Sequence, residues 1–216
     1  VVMLDVGGTS ADVALIRDGI PQRMYRGEVA GLPVNVPQID ILPIGAGGGS
    51  VAKVDGLGAL QVGPESVGAD PGPAAYGNGT EAAVTDAHLL LGNLDVSKFL
   101  GGKIALDITR SKKAVENQVG NKVGTDVYTS ASAIIKVVNT TMGSALKTVT
   151  TSRGFDIRKC SLMAFGGAGP LHACEIAEEL AVDTVIVPLY PGLTSALGLI
   201  AGDDHLESSR TYIINA

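Results

Sequence analysis

Short apolar blocks broken by glycine open the chain. Val1-Val2-Met3-Leu4 runs into Asp5, Gly7-Gly8-Thr9-Ser10 supplies a turn, and Asp12-Val13-Ala14-Leu15-Ile16 resumes strand character, which together predict a β-hairpin. Arg17-Asp18-Gly19-Ile20-Pro21 reads as a second turn, and a third short strand through Met24 and Tyr25 would complete a meander. Between residues 33 and 78 glycine and proline recur too often for helix, and the apolar blocks there predict a buried strand over 39–44 and shorter strands near 51–54 and 60–62.

The hydrophobic period then changes. Thr85-Asp86 ahead of an apolar run predicts a short helix to Leu91 closed by Gly92, and Ser111 opens a second candidate that reaches Val119 before Gly120. Ala131, Ile134, Ile135, Val138, Met142, Ala145, Leu146 and Val149 recur at three- and four-residue steps, the stripe of a long amphipathic helix over 127–153 with Gly154 as its stop. A strand over 161–165, a glycine turn, a helix over 171–180, a strand over 184–187 and a short helix over 194–201 follow. The reading is an α/β chain without repeats or an obvious linker.

Composition sharpens this picture at one residue type. The chain has 29 glycines among 216 residues, roughly double the usual share of about 7%. Without low complexity, that excess means tight turns or backbone that comes close to a ligand. Only 4% of residues are aromatic and none is Trp, which argues against stacking platforms for sugars or bases. The formal net charge is −6 and no basic cluster exceeds Lys112-Lys113, so nucleic acid is not an expected partner. No apolar run approaches the roughly 20 residues that span a bilayer, and the first residues lack a signal-peptide layout. A soluble, cytoplasmic chain without membrane contact is expected. Cys160 and Cys174 have no CxxC or histidine cluster beside them, and both are expected to be buried small hydrophobes.

Four segments carry chemistry. In the first, Asp5 ends a strand and Gly7, Gly8, Thr9 and Ser10 form a tight turn, so backbone N–H groups and hydroxyls converge where a phosphate fits, beside a carboxylate suited to Mg²⁺. The plain alternative is an ordinary turn capped by Asp5 and Asp12. In the second, Gly166-Gly167-Ala168-Gly169-Pro170 joins a strand to a helix whose start adds unpaired donors and a positive dipole end. His172, one turn into that helix, reads more readily as a packed histidine than as a catalytic one. The third, Gly47-Gly48-Gly49-Ser50, matches a dinucleotide fingerprint by spacing, but β-branched Val51 and Val54 favour a following strand over the required helix. A substrate or interdomain loop is the expected reading. The fourth, over 63–77, is a long Gly/Pro loop with Glu65 and Asp70, both expected to be solvated. Neither His88 nor His205 falls in a usable pattern.

Order and wording together are more specific than any one segment. The chain carries D-V-G-G-T-S-A-D-V from Asp5, P-Q-I-D-I-L-P-I-G-A-G-G-G-S-V-A from Pro37, G-P-E-S-V-G-A-D-P-G-P-A-A-Y-G from Gly63, V-T-D-A from Val84 and F-G-G-A-G-P-L-H-A from Phe165. In that succession it resembles the hydantoinase A/5-oxoprolinase family. The resemblance implies one ribonuclease-H-like lobe of an actin-like ATPase, a mixed sheet with flanking helices over 1–216 with a Gly/Pro-rich insertion at about 31–82. It also implies ATP-driven opening of cyclic amides such as 5-oxoproline or hydantoins through a phosphorylated intermediate, or a non-catalytic ATP-binding or assembly role in a ketone carboxylase. By the same resemblance Asp5 and Asp12 are the catalytic acids, with Asp5 holding Mg²⁺. Gly7, Gly8, Thr9 and Ser10 then grip phosphates, and Gly166, Gly167, Gly169 and Pro170 meet the adenosine end. Family proteins carry an earlier lobe with its own phosphate hairpin, so a first lobe or companion subunit is an expected partner, within a homo- or hetero-oligomer.

Overall fold

The computed structural model describes residues 1–25, 27–29 and 31–202; His205 lies outside the described residues. Along β1 (Val2–Val6), Val2, Leu4 and Val6 alternate with Met3 and Asp5, so one face of the strand is apolar and fully buried. The turn closes with Gly7 N–H donating to the Ser10 carbonyl at 2.9 Å, and β2 (Ala11–Arg17) returns antiparallel, with Asp12 opposite Asp5. The predicted hairpin is present.

The expected meander ends early. β3 (Ile20–Pro21) pairs with the end of β2, but β4 (Arg23–Met24) leaves to pair with β7 (Gln38–Ile39), while β5 (Gly27–Val29) pairs with β6 (Leu32–Val34). The strand expected over 39–44 is split at Asp40, whose carboxylate pairs with Arg153, and only β8 (Ile41–Ile44) returns to β2. It is not buried: β8 pairs only with β2, and Ile39 and Ile41 are exposed. β9 (Ser50–Val54) and β10 (Leu60–Ser66) form a separate antiparallel pair, so a strand does follow the triple glycine.

β11 (Leu162–Phe165) and β12 (Val185–Ile186) join parallel on the far side of β1. The result is a mixed six-stranded sheet in the order β12-β11-β1-β2-β3, with β8 also on β2. Helices α1 (Val84–Leu90), α2 (Ile108–Val115), α3 (Asn121–Val123), α4 (Val127–Thr151), α5 (Gly169–Leu180) and α6 (Thr194–Ala201) complete the described chain. The Asp126 carboxylate caps α4 by accepting from Tyr128 and Thr129 N–H, and its predicted stripe is buried against β1, β2 and β8. Gly154 follows at φ +76°, the left-handed stop that the sequence indicates.

Three boundaries and the cysteines differ from expectation. α1 begins at Val84, ahead of Thr85. α2 starts ahead of Ser111 because Asp107 is the capping acid, accepting from Thr109 and Arg110 N–H. It does not stop at Gly120, which has helical φ of −52°; a π turn carries it into α3, and Gly124 at φ +73° closes it. Cys160 is half-buried, and Cys174 is exposed on α5, so neither is a fully buried hydrophobe.

Candidate functional site

Parallel pairing of β1 with β11 sets Asp5 opposite Phe165, which brings the hairpin turn and the glycine turn together at the carboxyl ends of adjacent strands. Ligands of open α/β sheets gather at that edge. Gly8, Thr9 and Ser10 are exposed at the hairpin tip, and Asp5 and Asp12 are half-buried beside each other on its two strands. Partial burial, and then the charge of Asp5, push the Asp12 carboxyl above the ordinary aspartate range. Asp5 also accepts from the Ser195 hydroxyl at 2.8 Å, a contact that reaches back from α6.

The triple-glycine loop lies behind this hairpin. Residues 46–50 are all buried; Gly48 N–H donates to the Gly7 carbonyl at 3.0 Å and Gly49 N–H to that of Gly8 at 2.5 Å. A Cβ on Gly47 would stand 2.9 Å from both carbonyl oxygens, so only glycine permits this approach. Thr85 completes the clamp, its N–H and its hydroxyl each donating to the Gly48 carbonyl at 2.8 Å. Of the loop's glycines, Gly48 alone reaches the neighbouring cavity, and Ser50 turns inward to accept from Gly47 N–H at 2.9 Å.

On the other side, Gly166 has φ +83°, and a Cβ there would stand 2.3 Å from Asp5 Oδ1. Ala168 N–H donates to the Val6 carbonyl at 3.0 Å, which ties the turn to β1. Gly167 is exposed and open, with nothing within 4 Å of an added Cβ. Gly169 then starts α5, with Pro170 in the first turn.

Both segments border a cavity of about 230 Å³. Gly7, Gly8, Gly48 and Gly167 line it together with the polar Thr85 and His88, and Tyr76, Leu94, Phe99, Leu100, Ala168 and Leu171 supply the apolar part. The Tyr76 and Phe99 rings pack at 5.7 Å between centroids. Larger hollows elsewhere, such as that between Lys147 and Arg158, have no such convergence of glycine backbone.

Asp86 lies at the entry of α1 as the sequence indicates, but its wider role, the histidine pair and the Ser195 contact were not legible there. Asp86 is wholly buried in α1, where it accepts from the N–H groups of Ala74, Ala75 and Ala83 and from the Ser111 hydroxyl at 2.6 Å, so it organises the Gly/Pro loop. Burial pushes its carboxyl up while these donors pull it down. His88 and His172 meet in the core with Nε2 atoms 3.4 Å apart. Ser195 on Asp5 joins positions 190 residues apart, beyond any local motif. Of the loop acids, Glu65 is exposed and paired with Lys53 at 2.7 Å, and Asp70 is exposed. Among the described residues no group of three or more His, Cys, Asp or Glu is placed to hold a metal, and no helix is long and apolar enough to cross a membrane.

Asp5, Thr9, Ser10 and Asp12 stand at the strand edge but do not line the cavity, and Asp12 borders a separate hollow with Met24, Gln38 and Ile41. Glycine backbone exposed at a strand edge beside carboxylates and hydroxyls marks the class of α/β proteins in which N–H groups and charge, rather than a side-chain nucleophile, can hold a ligand. Within that class the profile of one family, Hydantoinase/oxoprolinase, matches residues 1–206, and the chain belongs to that family. It is 40% identical to an uncharacterized protein of Methanocaldococcus jannaschii over 99% of the chain and 33% of the relative. It is 38% identical to the caprolactamase subunit alpha of Pseudomonas jessenii (98% of the chain, 30% of the relative) and 36% identical to 5-oxoprolinase 1 of Arabidopsis thaliana (96% and 18%). Among solved structures, a nucleotide-free acetone carboxylase, from work on ATP-dependent acetone carboxylation, superposes with a TM-score of 0.86 at 32% identity, covering 94% of this chain and 29% of that one. The ATP-dependent caprolactamase of Pseudomonas jessenii gives 0.85 at 38% identity, covering 93% and 29%. The chain thus spans a third or less of the length of these relatives.

Proposed function

We propose that this chain is the second, ribonuclease-H-like lobe of an actin-like ATPase, working in the cytoplasm within an enzyme that opens cyclic amides at the expense of ATP. The observation that carries the reading is the meeting of the Asp5–Ser10 hairpin and the Gly166–Gly169 turn at one strand edge, the first backed by Gly47 and the second fixed at Gly166, two positions where a side chain would collide. Relatives named as ATP-dependent caprolactamase and 5-oxoprolinase support it.

Exposed Thr9 and Ser10 hydroxyls and the hairpin N–H groups are suited to phosphate oxygens. Asp5 and Asp12 fit Mg²⁺, which commonly takes one or two protein carboxylates and completes its shell with phosphates and water. That ion supplies charge neutralisation on the phosphate chain. Gly167, exposed and lining the cavity, is open to the adenosine end, while Gly166 and Gly169 hold the turn against β1 and Pro170 starts the helix; the loop of Gly47, Gly48, Gly49 and Ser50 fixes the hairpin from behind while Gly48 faces the cavity. Phosphoryl transfer from ATP to the amide oxygen would release ADP, and addition of water at the ring carbon would then break the C–N bond and release phosphate; these steps need positioning rather than a protein nucleophile.

One hairpin grips phosphates from one side only, so a first lobe or companion subunit supplies the opposite jaw. The test is ATP hydrolysis by the purified chain, with and without 5-oxoproline or hydantoin, before and after adding a polypeptide that bears the first lobe. Negligible turnover alone and substrate-stimulated turnover after addition is expected; robust stimulated hydrolysis by the chain alone would overturn the half-clamp. The likeness to acetone carboxylase favours a second reading, an ATP-binding or assembly subunit of a ketone carboxylase. Nucleotide binding without any amide-stimulated turnover in the reconstituted pair would select it.

A further inference from the structure

α1 and α5 are joined in the interior by the ring nitrogens of His88 and His172, which are 1% and 0% exposed and stand 3.4 Å apart. The hydrogen positions follow from the ends of the chain of contacts. Glu175 Oε2 can only accept, so the Asn139 amide nitrogen, 2.7 Å away, donates to it and leaves Asn139 Oδ1 as an acceptor. His172 Nδ1 therefore carries the hydrogen and donates to that oxygen at 2.7 Å, and His172 Nε2 is bare. At the other end the Asn93 amide donates to His88 Nδ1 at 3.0 Å, which puts the His88 hydrogen on Nε2, facing the bare nitrogen of His172. Turning the Asn93 amide over would leave two bare nitrogens facing each other. Every donor thus meets an acceptor in one direction, from Asn93 through both imidazoles and Asn139 to Glu175.

What the two imidazoles join is the point. The first turn of α1 holds the hairpin, because Thr85 grips Gly48 and Gly48 grips Gly7. The first turn of α5 grows directly from the Gly166–Gly169 turn and contains His172. The bond therefore ties together the mountings of both glycine segments.

We propose that His88 and His172 are positioning residues that set the spacing between the hairpin and the glycine turn, and through it the grip on a nucleoside diphosphate. This rests on the nucleotide reading given above. Burial favours the neutral form of both rings.

The experiment combines side-chain ¹⁵N NMR of histidine-labelled protein with calorimetric titration of Mg-ADP. At neutral pH the spectra should place the hydrogen of His172 on Nδ1 and that of His88 on Nε2; the reverse arrangement would overturn the direction given above, and hydrogens on both Nε2 atoms or on neither would overturn the bond. His172→Leu leaves the cavity lining intact but strands the His88 N–H, and should weaken Mg-ADP by about tenfold, whereas His88→Gln keeps a donor facing His172 and should stay within about threefold of the parent. The double variant His88→Leu with His172→Leu should recover thermal stability through apolar packing without recovering nucleotide affinity. Affinity that follows stability across the four proteins, or does not change, would reduce the pair to core packing. A parent that binds no Mg-ADP would overturn the nucleotide reading, while the spectra still decide the bond.

Discussion

Two buried imidazoles make the stability of this protein depend on pH in a calculable direction. Burial lowers His88 to about 4, and burial together with the neighbouring His88 lowers His172 to about 3. Histidine in the unfolded chain titrates near pH 6.5, so below that value the unfolded chain takes up protons that the folded chain refuses. The stabilisation is complete above about pH 6.5 and is lost as the pH falls toward about 4, at up to about 1.4 kcal/mol per pH unit for each ring. Urea midpoints measured between about pH 7.5 and 5 should therefore fall more steeply for the parent than for a His88→Gln, His172→Gln variant. Equal slopes would mean that the rings are hydrated in solution. Nothing local in the sequence announced this pair: the residues lie 84 positions apart, and His172 alone reads as an ordinary packed histidine. Asp5, Thr9 and Ser10 were legible because strand, glycine and hydroxyl are adjacent in the chain.

At the scale of elements, adjacent glycines in one turn have opposite tolerances. Gly166 has φ +83° and would drive a Cβ into Asp5 and Val6, so Gly166→Ala should destabilise the fold by at least about 1–2 kcal/mol from the backbone conformation alone. Gly167 has neither a positive φ nor a close neighbour, so Gly167→Val should leave the circular-dichroism melt unchanged while it obstructs the nucleotide. A lowered melt for Gly167→Val, or an unchanged one for Gly166→Ala, would show that the turn is not set as described. The hairpin, the long helix and the strand-turn-helix around Phe165 were readable because each is fixed by neighbours in sequence. Misread boundaries have tertiary causes. Ser111 looked like a cap but is drawn inside by Asp86, and the strand over 39–44 broke where Asp40 turned to Arg153. The triple glycine, whose spacing matches a dinucleotide fingerprint but whose following strand favours a substrate or interdomain loop, is buried behind the hairpin by long-range hydrogen bonds to Gly7, Gly8 and Thr85, with Gly48 reaching the cavity.

For the whole molecule, both candidate nucleotide segments rest on one side of the site, and the relatives are at least about three times longer than this chain. On the proposed reading this side alone is a preformed, metal-assisted nucleotide site. Calorimetric titration with Mg-ADP, and with ADP in the presence of a chelator, tests it on the parent beside Asp5→Asn and Gly167→Val. Weak but saturable binding by the parent is expected. Asp5→Asn should lose more affinity with Mg²⁺ than without it, because the amide keeps the shape but not the charge, and Gly167→Val should lose affinity in both conditions. No heat at millimolar nucleotide, or affinity indifferent to all of these changes, would contradict the account.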